Sequence, residues 1–209
     1  EVLITLAIIG VVAAMTIPTL VANYQTKAWN TSATVFDRKL TTEELNKVDS
    51  YFALKYGVFL KGQNNYISSN GTTIWNRANN QAYSNNIAGI GYDPQADLHQ
   101  KQAWSTTDAT PILIGTTGLQ NSNTENTVAL APNQFLLWGD NGKAKKPTVS
   151  MPRHLAVNYR MEAIWKVQNT NQVGTVRIAW PKNKSMDWTL LVSSDEIFDG
   201  QDAQHPMNH

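Results

Sequence analysis

The chain has 209 residues, a formal net charge of +1, 16% charged residues and no cysteine. This length suits one domain with an appendage, and the weak charge without a basic stripe excludes the electrostatic footprint of a nucleic-acid-binding protein. The absence of cysteine excludes disulfides, thiolate metal sites and a cysteine nucleophile. The surface is expected to be polar and weakly charged, which favours an extracellular setting.

Residues 2–25 contain no charged side chain and are mostly aliphatic. An apolar run of about 20 residues is long enough to span a bilayer core as a helix. Pro18 removes a backbone donor and is expected to kink that helix, whereas Gly10 allows close packing of a neighbouring helix. Spaced apolar residues continue to Leu40. The pattern predicts an apolar N-terminal helix over residues 1–40 that anchors the chain in a membrane.

A second helical pattern follows directly. Residues 41–44 (TTEE) provide a hydroxyl cap and an acidic first turn. Leu45, Val48 and Phe52 then lie at helical spacing, and Gly57 is a typical C-terminal stop. We expect this segment to continue the first helix as one long bent helix, or to form a second, collinear one.

From residue 58 the pattern changes to short β segments separated by Asn and Gly, including turn signals at residues 69–71 and 140–142. Lys143, Lys145 and Lys146 follow the second turn and are expected to be solvated. Most tryptophans in this region are expected in the core. The predicted fold is α+β, a long N-terminal helix (1–40) followed by an antiparallel β-rich, sandwich-like head (41–209) that starts with a helix. The predicted strands are 65–68, 72–75, 112–115, 127–131, 135–138, 163–168, 175–180 and 188–193.

The N-terminal 40 residues resemble the type IV pilin and type II secretion pseudopilin family. The likeness rests on Glu1 followed by VLI, on residues 7–14 (AIIGVVAA), on Ile17-Pro18 and on a polar transition at residues 23–25. It implies removal of a short basic leader, assembly into a helical homo-oligomeric filament, and a Glu1 that pairs with a neighbouring subunit's terminal amine. A carboxylate in hydrocarbon is costly unless paired, so such a contact would set the register between subunits. The implied assembly residues are Glu1, Leu3, Ile4, Leu6, Ile8, Ile9, Gly10, Val11, Val12, Pro18, Leu20 and Tyr24.

The remainder, from Glu44 onward, resembles an uncharacterised domain of large secreted surface proteins of gliding bacteria. Ordered blocks carry this likeness, among them NYISSNGTTIWN, FLLWGDNG and IWKVQNTNQVGTVRIAW. That family has no established activity. Its domains sit beside adhesin-like and carbohydrate-binding modules, which suggests a surface role by analogy.

Candidate chemistry is sparse. Asp195, Glu196 and Asp199, near Asp202, form a weak calcium candidate because hard oxygen ligands suit that ion. A second cluster, Asp93, Asp97 and His99, has metal-ligating side chains, although Asp93-Pro94 is also a strong turn. Gly89-Ile90-Gly91 lacks the third glycine and the βαβ context of a nucleotide-binding loop. We expect no metal, no cofactor and no enzymatic activity, and exposed tryptophans such as Trp29 or Trp104 are candidates for stacking on sugars.

The sequence therefore predicts a structural subunit of a type IV pilus-like extracellular filament that polymerises through its N-terminal helix. Its expected partners are copies of itself, the pilus assembly machinery and, before assembly, the cytoplasmic (inner) membrane. The alternative is a membrane-tethered or minor-pilin adhesin whose head binds glycan or a surface protein.

Overall fold

The computed structural model describes residues 40–58, 64–152, 157–181 and 187–207. The chain divides after Thr41, and Thr42–His209 form one compact unit. Within the described ranges this unit holds one α-helix and thirteen strands. The helix is α1 (Thr42–Tyr56). The strands are β1 (Tyr66–Ile67), β2 (Thr73–Trp75), β3 (Asn85–Asp93), β4 (Leu98–Gln100), β5 (Gln102–Ala103), β6 (Leu113–Thr116), β7 (Phe135–Asp140), β8 (Pro147–Ser150), β9 (Tyr159–Met161), β10 (Trp165–Thr170), β11 (Val176–Ala179), β12 (Thr189–Val192) and β13 (Ala203–Pro206).

Helix α1 begins and ends where the sequence predicts. Its first turn carries Glu43 and Glu44, and its last turn carries Lys55. Acidic residues at the N-terminus and a basic residue at the C-terminus interact favourably with the helix dipole. Gly57 then adopts a φ of +62°, as a glycine just past a helix end commonly does. A Cβ at this position would lie 2.3 Å from the carbonyl oxygen of Trp104. Both the conformation and the space at the end of α1 therefore require glycine.

Strand β7 is the centre of the head. It lies between β10 and β3 in a four-stranded antiparallel sheet of order β10-β7-β3-β4. Phe135 and Leu137 pack into one core cluster, whereas Leu136 and Trp138 pack into another. Because side chains alternate between sheet faces, both faces of β7 are covered, which explains its unbroken apolar sequence.

Different elements cover the two faces. The first face packs against α1 and the β1-β2 hairpin, in a cluster that includes Leu54, Tyr66 and Trp75. The second packs against the three-stranded antiparallel sheet β11-β6-β5, in a cluster that includes Ile90, Ile114 and Val173. Two small antiparallel pairs, β8-β9 and β12-β13, complete the described unit. The head is thus layered on a doubly buried central sheet.

Strand β3 is the longest strand described, and the sequence did not predict it. A Cβ on Gly89 would lie 2.6 Å from Leu137 Cγ, and one on Gly91 would lie 2.2 Å from Phe135 Cδ1. Glycine is therefore required where side chains of β7 cross the strand. The same two glycines weaken the β pattern of the sequence, so the local pattern predicts no strand in this segment.

The predicted fold class is wrong. The described residues form several small antiparallel sheets with a single 15-residue helix, and no long N-terminal helix or two-sheet sandwich is seen in them. Strands of two to six residues predominate, since Asn, Gly and Pro interrupt them, and they divide among five sheets. The part of the prediction that concerns residues 1–39 lies outside the described residues. No helix in the described ranges is long and apolar enough to cross a membrane.

Seven of the eight predicted strands overlap observed ones, namely β1, β2, β6, β7, β10, β11 and β12. The strand predicted at residues 127–131 is wrong, because that segment is irregular. The tryptophan prediction holds for Trp75 and Trp138, which are fully buried, but Trp104 is 45% exposed. The strands β3, β4, β5, β8, β9 and β13 were not predicted.

Candidate functional site

The predicted assembly residues cannot be placed. All of them, from Glu1 to Tyr24, lie outside the described residues, as does Trp29. Candidate sites within the head must therefore come from the described residues between 42 and 207.

The calcium candidates do not converge. Asp195 accepts hydrogen bonds from Ser193 Oγ at 2.9 Å and from the Ile197 backbone N–H at 3.0 Å, and these contacts lower the pKa of its carboxyl, the backbone bond most. Glu196 instead forms an ion pair with Lys166 at 3.6 Å. Within the described parts of the chain, no group of three His, Asp or Glu residues could hold a metal ion. The acidic residues of this loop mainly cap its own turns.

The Asp93, Asp97 and His99 cluster is also dispersed. The buried carboxylate of Asp93 accepts hydrogen bonds from both the backbone N–H and the hydroxyl of Ser69. Asp97 has a φ of +49° and ends the short 3-10 turn Pro94–Ala96. These acidic residues hold a turn, in agreement with the turn interpretation of Asp93-Pro94.

His99 has a structural role of its own. Its ring stacks on Tyr92 with 4.3 Å between centroids, and its Nε2 accepts a hydrogen bond of 3.1 Å from the Leu130 backbone N–H. That bond requires an unprotonated Nε2. Burial, with a smaller contribution from Lys101, lowers the pKa of His99 below its ordinary 6.5. The neutral ring therefore fixes the irregular segment that contains Leu130.

Helix α1 presents an apolar stripe to the surface, here called the α1 outer face. Its members share one side of the helix and are between 41% and 54% exposed: Leu45, Val48, Phe52 and Tyr56. The Phe52 and Tyr56 rings stack with centroids 5.9 Å apart. The opposite side of α1 packs into the core through Ala53 and Leu54. A helix with apolar residues on both its core face and its outer face has more apolar surface than the head alone covers.

A groove runs beside this face. It has a volume of about 420 Å³ and is lined by Val48, Tyr51 and Phe52 of α1 and by Ser69, Gln95 and Ala96 of the facing loops, among others. Its size falls within the range of small-molecule sites. An apolar wall opposite serine and glutamine side chains offers both stacking surface and hydrogen-bonding groups.

Trp104 lies close to the end of α1. Its carbonyl is next to Gly57, and Thr106, two residues further on, donates its backbone N–H to the Gly57 carbonyl at 2.9 Å. The exposed indole of Trp104 therefore belongs to a loop fixed against the helix terminus. Of the two tryptophans proposed for sugar stacking, Trp104 lies within the described residues, and its indole is accessible.

A buried charged cluster lies at the end of the central sheet where β7 ends at Asp140. The Lys145 ammonium is in direct contact with the Asp108 carboxylate, and Asp140 Oδ2 lies 3.6 Å from the same nitrogen. The side chains of Lys145, Asp108 and Asp140 are only 14%, 7% and 1% exposed. Lys145 Nζ also lies 5.5 Å from the ring centroid of Trp165. We call these three charged residues the Lys–Asp–Asp cluster.

Neighbouring amides hold the cluster in place. Asp140 accepts hydrogen bonds of 2.9 Å from Asn86 Nδ2 and from the Gly142 backbone N–H. Asn86 sits at an irregularity in the β3–β7 register and has a φ of +50°. Its own side-chain oxygen accepts a hydrogen bond from Thr107, next to Asp108. Asn86 thus ties the loop that carries Asp108 to the end of β7.

Little in the sequence indicates this cluster. Lys145 was expected to be a solvated lysine beside a turn, and that expectation is wrong because Asp108 and Asp140 draw its side chain inward. The turn signal at residues 140–142 marks the segment that contains two of the three charged residues, Asp140 and Lys145. Asp108, 37 residues away from Lys145, could not be connected with them.

A profile of a domain of unknown function, DUF8202, matches residues 44–209. Since the match covers most of the chain, the chain belongs to this family. Searches of curated proteins and of solved structures find no match.

Proposed function

We propose that the protein is a structural subunit of a type IV pilus-like extracellular filament, assembled through its N-terminal apolar segment. The observation that carries the proposal is the charge-free stretch of residues 2–25 behind Glu1, joined to a separately folded head that starts at Thr42. Apolar burial between neighbouring segments supplies cohesion, and pairing of Glu1 supplies register. The partners are copies of the chain, the cytoplasmic membrane before assembly, and the pilus assembly machinery. The assembled protein lies on the cell surface.

The α1 outer face supports this proposal from within the head. Its four apolar side chains are available for contacts with neighbouring subunits. Apolar contacts between copies that share one orientation suit a helical assembly.

Replacement of Glu1 tests the register role. Glu1→Ala is expected to reduce the yield of sheared filaments by about 30-fold, since losing roughly 2 kcal/mol per subunit contact weakens association by that factor. Sheared and cell-bound fractions are compared by immunoblot. The near-ultraviolet circular dichroism of the tryptophans in the purified variant should equal that of the wild type. An unchanged filament yield would remove Glu1 from assembly.

The second candidate function is a membrane-tethered or minor-pilin adhesin whose head binds glycan or a surface protein. The groove beside α1 and the exposed indole of Trp104 favour it. In a glycan-array experiment on the detergent-solubilised chain, this function requires binding that Trp104→Ala reduces. The matched control is Tyr159→Ala, because Tyr159 is also exposed but lies in β9. Absence of glycan binding would contradict glycan recognition by the head and leave the filament role as the remaining candidate of the two tested.

A further inference from the structure

We propose that Lys145 and Asp108 are joined by an intramolecular isopeptide bond, formed spontaneously with Asp140 as the catalytic carboxyl group. This modification is independent of the filament proposal. It rests on the Lys–Asp–Asp cluster alone.

The geometry places the reacting groups together. Lys145 Nζ contacts Oδ2 of Asp108 directly, so the nucleophile already lies beside the carboxyl group whose Cγ it attacks. Two further groups position the same nitrogen, which donates to the Thr110 carbonyl at 3.2 Å and lies over the Trp165 ring. Groups held in contact in this way react as if at very high local concentration.

Burial favours the reaction. The cluster contains one ammonium and two carboxylates that are nearly removed from water, and charges in such surroundings are costly. An amide between Lys145 and Asp108 removes two of the three charges. Asp140 keeps its hydrogen bonds from Asn86 and Gly142, so it stays in position throughout.

The step balances without a cofactor. The Lys145 ammonium gives one proton to the Asp140 carboxylate and leaves a free amine, whose lone pair attacks Cγ of Asp108. Asp140 passes that proton to one Asp108 oxygen, takes a second proton from the new C–N nitrogen and passes it to the same oxygen, which leaves as water while Asp140 returns to the carboxylate. The Nζ–Cγ bond forms, one Cγ–O bond breaks, and one water molecule leaves. No oxidant or reductant is consumed.

The bond would join two loops that are distant in sequence. It would connect the loop between β5 and β6 to the loop between β7 and β8, across 37 residues of sequence. The chain contains no cysteine, so a disulfide cannot supply such a cross-link. An amide has the further property that reducing agents do not break it.

Intact-mass spectrometry of the purified full chain under denaturing conditions tests the proposal. The expected mass is that of the sequence less one water molecule. Chymotrypsin, which cleaves after Trp104, Leu113 and Trp138, separates the Asp108 peptide from the Lys145 peptide. The expected product is one branched peptide that contains both residues. The full sequence mass, with two separate peptides, would overturn the proposal.

Variants exclude other losses of water. Lys145→Arg keeps the positive charge but lacks a nucleophilic amine, and Asp108→Ala lacks the acceptor carbon. Both are expected to show their full sequence masses, and Asp140→Asn is expected to show little or no cross-link. Asp199-Gly200 is a sequence at which backbone cyclisation also releases water. A water loss that persists in Lys145→Arg would assign the change to such a site and contradict the proposal.

Discussion

In one segment where the sequence pattern predicts a strand, polar side chains accept the backbone N–H hydrogen bonds. In the segment 127–131 the backbone N–H groups of Val128, Leu130 and Ala131 donate to Asn126 Oδ1, His99 Nε2 and Gln134 Oε1, respectively. These side chains occupy the groups that a strand partner would bind. An apolar alternation in the sequence could not reveal this, because the acceptors include His99, some 30 residues away.

Buried amides also form a closed network. Asn126 is fully buried, accepts a hydrogen bond from Thr116 Oγ1 at 3.0 Å and donates to Gln102 Oε1 at 3.2 Å. Gln102 in turn donates to the Gln120 carbonyl at 2.7 Å. The sequence predicts a polar, weakly charged surface, and the structure shows that Asn and Gln side chains shape the interior as well.

The stability of the head is expected to depend on the protonation of His99. Its pKa is lower in the folded protein than the ordinary 6.5, so the unfolded chain binds the proton more readily. Stability is therefore complete above about pH 6.5 and falls as the pH drops toward the folded pKa. Thermal unfolding between about pH 5 and about pH 8 measures this slope.

The matched variant is His99→Gln, whose side-chain oxygen can accept the Leu130 N–H without titrating in this range. The decrease in melting temperature at low pH is expected to be smaller than in the wild type. An identical pH profile in both proteins would assign the slope to other groups.

At the level of elements, local signals predicted α1 and two of the four strands of the central sheet. The acidic first turn and Gly57 delimit α1, and the apolar runs identify β7 and β10. Strand β3 is not predicted because Gly89 and Gly91 weaken its β pattern. Those glycines are needed for packing, since a Cβ on either would overlap Leu137 or Phe135. Two-residue strands such as β1 and β5 exist only through their partners, so the number of sheets cannot be deduced from local pattern.

Gly91→Ala tests the packing of β3 on β7. The added methyl group would overlap the Phe135 ring, and overpacking of this kind is expected to lower the free energy of unfolding by about 2–3 kcal/mol. Gly174→Ala is the matched control, because nothing lies within 4 Å of its Cβ position. Urea denaturation of both variants checks the difference. If Gly91→Ala were as stable as the control, the Phe135 ring could move aside freely, and close packing of β3 on β7 would not require glycine.

At the scale of the whole molecule, sequence patterns predict the order of helix and strands along the chain but not which strands pair in the fold. The Lys–Asp–Asp cluster arises only when the loops after β5 and β7 meet at one end of the sheet. Lys145 and Asp108 are ordinary surface residues by composition, and their role depends on Asn86 and the register of β3 with β7. Predicting the cluster would have required the pairing of non-consecutive strands.

The isopeptide bond has a consequence for global stability. By the loop-entropy argument that applies to a covalent cross-link, closing 37 residues is worth roughly 4 kcal/mol. Lys145→Arg, which retains the charge, is expected to lower the free energy of unfolding by about that amount. Guanidinium denaturation measures it. If the free energy of unfolding fell by less than about 1 kcal/mol, the variant would have exchanged one ion pair for another, and the wild type would carry no cross-link.

The filament proposal is tested most directly by negative-stain electron microscopy of material sheared from cells that express the full chain, beside the same chain lacking residues 1–25. We expect filaments from the full chain and none from the truncated chain, whose head should remain folded by circular dichroism. Filaments that persist without residues 1–25, or a full chain that yields only membrane-bound monomers, would contradict assembly through the N-terminal segment.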